Sequence, residues 1–106
     1  MQELVVAFEK RDDLTTDELR EYYHAEHAPI VERLPNLVGY DVTFPSDPAR
    51  SPYDGIARLR FPDGAAMREA LETETADEME ADAAEFADPD SLVQIVGEYT
   101  DVLADD

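Results

Sequence analysis

Two stretches of alternating side chains, residues 37–44 and 53–61, constrain this chain more than any other feature. In the first, Val38, Tyr40, Val42 and Phe44 share one face, and Asp41 and Thr43 take the other. In the second, Tyr53, Gly55, Ala57, Leu59 and Phe61 oppose Asp54, Ile56, Arg58 and Arg60. A period of two puts successive side chains on opposite faces of a sheet, so both stretches read as half-buried strands. Pro45, Pro48 and Pro52 lie between them and deny that segment both a helix and a strand ladder.

The rest of the chain fits around this pair. Residues 4–8, Leu-Val-Val-Ala-Phe, are apolar on both faces and read as a central strand, and residues 91–100 read as a final strand. Thr15 is placed as a helix N-cap, with Glu18 completing a capping box and Leu14 and Leu19 forming a hydrophobic staple. In an α-helix that starts at residue 16, Leu19, Tyr23, Ile30 and Leu34 fall on one stripe with His27 at its edge. Pro29 cannot donate to the carbonyl of Ala25, so the helix is expected to kink or break there. Asp63 caps a second helical stretch carrying Met67, Ala70, Leu71, Met79, Ala83 and Phe86, and the polar segment 72–75 divides it in two. Asp88-Pro89-Asp90 is a turn, and residues 104–106 are expected to fray.

The order β-α-β-β-α-β implies an α+β fold of ferredoxin-like type, one antiparallel sheet with both helical segments on one face. All 106 residues make a single domain. Two helical layers cannot cover Val5, Ala7, Ile56, Val93, Ile95 and Tyr99, which fall on the opposite face. A symmetric homodimer that packs sheet on sheet would bury them.

Charge decides which partners are excluded. Twenty-seven Asp and Glu oppose eight Lys and Arg, a formal net charge of −19, and Lys10 is the sole lysine. Such a field repels nucleic-acid phosphates and anionic lipids, so neither nucleic acid nor membrane is an expected partner. Dense carboxylates with almost no lysine resemble the proteins of salt-accumulating halophiles, whose self-repulsion is screened by salt; the alternative is an acidic binding surface. The absence of cysteine excludes thiolate catalysis, disulfides and Cys-based zinc sites. No apolar run has membrane-spanning length and no basic leader opens the chain, so the expected location is cytoplasmic.

Several strings resemble the EthD family of dimeric α/β-barrel proteins. They are Leu14-Thr-Thr-Asp-Glu-Leu19, Tyr22-Tyr-His-Ala-Glu-His-Ala-Pro-Ile-Val31 and Leu34-Pro-Asn-Leu-Val-Gly-Tyr40. Residues 53–61, Ala81-Asp82, Phe86 and the Asp-Pro pair after it follow in the same order. The resemblance implies a dimeric α/β barrel and a small enzyme working without metal or cofactor, of isomerase, decarboxylase, dehydratase or oxidoreductase type. The alternatives are a non-catalytic binding or accessory module, and a structural dimer whose cleft is filled by its own side chains. No nucleotide, flavin or haem motif occurs in the sequence.

His27 is the catalytic candidate. An imidazole exchanges protons near neutrality, and this one lies beside a proline break at the border of the apolar stripe. The resemblance makes it the family's characteristic histidine; the alternative is a structural ring bonded to a carbonyl freed by Pro29. Tyr23, Tyr40 and Tyr53 are the substrate-binding candidates, phenols expected to line the gap between helix and sheet and to position a mostly apolar carbonyl or phenolic metabolite. His24 and His27 are spaced i, i+3 but diverge on the helix and lack a third ligand, so no metal is expected. Arg58 and Arg60 suit a carboxylate ligand or, preferably, a partner's acidic residue. Glu26, close to the apolar stripe, could orient His27 but reads rather as a solvated carboxylate, Tyr22 reads as packing or surface, and the acidic face of residues 69–85 offers no site.

Overall fold

A computed structural model describes residues 1–104. Strands β1 (Gln2–Phe8), β2 (Gly39–Thr43), β3 (Gly55–Phe61) and β4 (Val93–Glu98) form one sheet in the order β2-β3-β1-β4, with every neighbouring pair antiparallel. This is the ferredoxin-like α+β arrangement expected from the element order. Of residues 104–106, for which fraying is expected, Asp105 and Asp106 lie outside the described residues, and the Ala104 amide bonds Asp101 Oδ1 at 3.2 Å. No helix of the described residues is long and apolar enough to cross a membrane.

Helix α1 (Thr16–Tyr22) starts at the capping box: Thr15 Oγ1 accepts from the Glu18 amide at 3.1 Å, and Glu18 Oε1 accepts from the Thr15 amide at 2.9 Å. The chain then widens into one π turn, Tyr23–His27, and continues as α2 (Ala28–Val31). The Ala28 amide bonds the Tyr23 carbonyl, five residues back. Pro29 thus leads to a π turn and not to a break. A chain that cannot supply the Pro29 N–H can remain helical by widening the preceding turn.

That one turn shifts the phase of everything after it. The buried positions run Leu19, Tyr23, His27, Val31, so Val31 takes the place expected of Ile30, and His27 lies inside the stripe and not at its edge. In an unbroken α-helix Leu19 and Val31 would sit about 120° apart. The wider winding of a π turn removes much of that difference.

The second helical stretch divides as expected, into α3 (Gly64–Leu71), capped by Asp63, and α4 (Glu74–Ala83), capped by Thr73. Residues 86–88 then run beside the end of β1. The Arg11 amide bonds the Phe86 carbonyl at 2.9 Å and the Asp88 amide bonds the Glu9 carbonyl at 2.9 Å, which pins the Phe86 ring over the sheet. The Phe8 ring lies across Gly55, its register partner, where a Cβ would stand 2.5 Å from the ring. Only glycine allows that approach.

Two clusters fill the helix-facing side of the sheet. One is mostly aliphatic and contains Leu4, Val31, Leu34, Leu59, Phe61 and Met67. The other is largely aromatic and contains Phe8, Leu19, Tyr23 and Phe86. The helices cover β2, β3 and β1 but not all of β4. Val96, paired with Leu4 and therefore on the same face, remains 53% exposed.

Candidate active site

The uncovered part of the sheet opens into a cleft of ≈390 Å³ between the strands and α4. Its floor comes from Leu4, Val6, Phe8, Ala57, Leu59, Leu92, Gln94 and Val96, and its opposite wall from Tyr23, His27, Val31, Leu71, Met79, Glu80, Ala83, Phe86 and Ala87. The lining is predominantly apolar, with His27, Gln94 and Glu80 as its main polar groups, a composition suited to a small organic molecule.

His27 is buried, with 6% of its surface exposed, and is the buried polar residue among the core positions. Its ring packs edge-on against Phe86, centroids 4.7 Å apart, and lies 5.1 Å from the ring of Tyr23. Nδ1 is 2.9 Å from Asp82 Oδ2 on α4. Asp82 Oδ1 accepts a second hydrogen bond from the Tyr22 hydroxyl at 2.6 Å. Burial lowers the His27 pKa below its ordinary 6.5, while the bond to Asp82 and its charge act in the opposite sense. The imidazole is therefore neutral at neutral pH. The Tyr22 phenol is held in its protonated form chiefly by its bond to Asp82.

Tyr23, from the helical stripe, and Tyr40, which the alternation placed on the helix side of β2, meet there. The hydroxyls of Tyr23 and Tyr40 are 2.5 Å apart, and burial raises the pKa of both. Tyr23 also contacts Phe8, Phe44 and Phe86. Tyr23 lines the cleft; Tyr40 reaches it only through that hydroxyl pair. Tyr53 is not among the lining residues. β3 begins two residues after it, and Tyr53 sits in the loop, where its carbonyl accepts from Ser51 Oγ. The expectation that three tyrosines line the gap thus reduces to one direct contact and one indirect.

His24 points outward, and among the described residues no three His, Cys, Asp or Glu converge on a possible metal position. Arg60 bonds Glu3 at 3.1 Å and Asp41 at 2.8 Å and lies over the Tyr99 ring, and Arg58 approaches Asp41 at 3.7 Å. Their carboxylate partners come from this chain, on the face away from the cleft. Glu26 is exposed. The carboxylate that bonds His27 is instead Asp82, from the acidic stretch 69–85, for which the sequence predicts no site. The available signal was Asp82's position one residue before Ala83, four before Phe86 and three after Met79, on the border of an apolar stripe.

Comparison with known proteins agrees with this architecture. A family model described as the EthD domain matches residues 11–90. An EthD-family protein from Bacillus halodurans C-125 superposes with a TM-score of 0.80 at 24% identity, covering 94% of this chain and 99% of that one. HapK from Hahella chejuensis gives 0.74 at 21% identity over 94% and 93%. A dimeric ferredoxin-like protein of unknown function from Thermobifida fusca YX gives 0.74 at 15% over 92% and 90%. A search of curated proteins finds no match.

Proposed function

The chain belongs to the EthD domain family, and from that premise we propose that it binds a mostly apolar carbonyl or phenolic molecule in the cleft and moves a proton on it through His27. The observation that carries this reading is a buried, neutral imidazole in the wall of an apolar cleft of ≈390 Å³. A neutral ring can accept a proton from a C–H beside a carbonyl or from a phenol, and the electron pair stays on the ligand as an enolate or phenolate. Returning the proton elsewhere gives an isomerisation, and losing hydroxide from the carbon β to the carbonyl of the same species gives a dehydration. Tyr23 shapes the wall, and Tyr40 holds the Tyr23 hydroxyl. A binding module that uses the same cleft without turnover is the second reading, favoured by the low count of polar groups in the lining.

The test is proton exchange in heavy water at molar potassium chloride, followed by NMR on a panel of cyclic ketones and hydroxynaphthalenes. Enzymatic function predicts accelerated exchange at one carbon, reduced at least about 100-fold by His27→Gln. Binding without exchange leaves the accessory reading. No binding by any panel member refutes both.

The domain also works, in this proposal, as a homodimer joined through the bare face of the sheet. That face displays Val93 and Ile95, 44% and 61% exposed, beside the partly covered Val5, Ala7 and Ile56. With −19 on each copy, association is opposed by charge and assisted by salt. Light scattering should give twice the chain mass at molar salt and a smaller mass as salt is removed; the chain mass at every salt concentration refutes the dimer.

A further inference from the structure

Asp82 stands in the most acidic stretch of the chain, yet it behaves unlike its neighbours. Its side chain is 15% exposed, against 56% for Glu78 one helical turn earlier on α4. Both of its oxygens are used, Oδ1 by the Tyr22 hydroxyl and Oδ2 by His27 Nδ1. The two donors belong to the same helical segment, five residues apart. In a continuous α-helix, positions 22 and 27 point about 140° away from each other. The π turn Tyr23–His27 lies between them, and its wider winding brings both to one carboxylate.

Chemistry assigns the protons. An ionised carboxylate only accepts, so the ring nitrogen bonded to it carries the hydrogen. The other ring nitrogen, Nε2, then holds a lone pair and makes no hydrogen bond among the described residues. We infer that Asp82 is a positioning residue that fixes His27 as the Nδ1–H tautomer with Nε2 as the proton acceptor of the cleft, and that Tyr22 holds Asp82 in the orientation this requires. The inference rests on the proton-transfer reading above. In the step, the ligand C–H or O–H bond breaks, an Nε2–H bond forms, the electron pair stays on the ligand, and the new imidazolium is stabilised by the Asp82 charge beside Nδ1. The return of the same proton closes the cycle, so no oxidant or reductant enters.

The charged surroundings are few. Besides His27, the titratable groups lining the cleft are Tyr23 and Glu80, and the strands contribute none. Asp82 is the charge that acts on His27, while Glu85 and Glu26 act on Tyr22.

The experiment needs no ligand. The chain has two histidines, and exposed His24 serves as an internal reference. Long-range proton–nitrogen NMR on ¹⁵N-histidine protein, assigned with His24→Gln, reads the tautomer and the titration midpoint of each ring. The expected result is Nδ1–H for His27. Its midpoint should fall in Asp82→Asn, because burial then acts unopposed, and rise by less in Tyr22→Phe, because the carboxylate loses a competing donor and attracts the imidazolium more strongly. His24 should not move in either. An Nε2–H tautomer in the wild type, or a midpoint unmoved by Asp82→Asn, overturns the inference. If Asp82→Asn does not fold, Tyr22→Phe decides by sign, and an unchanged or lowered midpoint overturns it. The exchange assay separates this from the functional reading. The expected tautomer with no exchange on any ligand refutes the functional reading, whereas exchange that Asp82→Asn leaves within tenfold of wild type refutes the positioning role.

Discussion

On the side of the sheet that carries the helices, Leu4, Phe8, Leu59 and Phe61 are at most 6% exposed; on the other side of the same sheet, Val93 and Ile95 remain largely open to solvent. Both faces follow the same alternation, and they differ in what the chain has left to cover them. The covered face packs against Leu19, Tyr23, Val31, Met67, Ala70 and Phe86, drawn from both helical stretches. The bare face mixes its apolar patch with the Arg60–Glu3–Asp41 cluster at the other end of the strands. A domain of this size buries one side of its sheet with its own helices, and the other side is the face proposed above to join two copies. The cleft lies where the first kind of cover runs out, over β4, and so the functional candidate sits at the margin of the core.

Substitutions on the two faces should separate the two kinds of burial. Phe61 is fully buried, and Phe61→Ala should cost about 3–5 kcal/mol of unfolding free energy, a large share of the total for a domain this size. In urea melts of the wild type and this variant, that difference should be the same at every protein concentration, since the residue belongs to the self-covered face. A loss that changed with concentration would break the distinction. Ile95→Glu on the bare face should act the other way. It should weaken the dimer by at least about 100-fold, because a symmetric interface carries the substitution twice, and leave the dilute melt nearly unchanged. Sedimentation at molar salt measures the first effect.

The smallest effect concerns pH. His27 is held below its ordinary 6.5, mainly by burial, so below that value the unfolded chain takes up a proton that the folded chain resists. Its contribution to stability is complete above pH 6.5 and is lost as pH falls through the folded-state value. Melts between about pH 8 and about pH 5 should show stability declining on the acid side, less steeply in His27→Gln. Equal slopes in the two proteins would mean that burial of the ring has no energetic consequence.

Much of this architecture can be read along the chain. Alternation in residues 37–44 and 53–61 identified two strands, the Thr15–Glu18 box located the start of α1 to the residue, and the polar segment 72–75 marked the division between α3 and α4. These signals are local, carried by side chains within a few positions of each other. Alternation also placed Tyr40 on the helix side of β2. It placed Tyr53 there too, but an alternation pattern does not show where a strand begins, and β3 starts at Gly55.

His27 was recognisable from its residue type and its neighbour Pro29, but its environment was not. Its depth depends on a π turn that changes the phase of the helix, a choice made by packing when proline removes one donor. Its partner is Asp82, 55 residues away, one of 27 acidic residues and not distinguishable from the others by composition. Periodicity and capping arise from neighbours in sequence, so the strands, caps and amphipathic faces were determined by the residues themselves. Which carboxylate meets the imidazole, and which part of the sheet stays uncovered, followed from how two helical stretches settle on one face of the sheet, a contact between segments that no local pattern encodes.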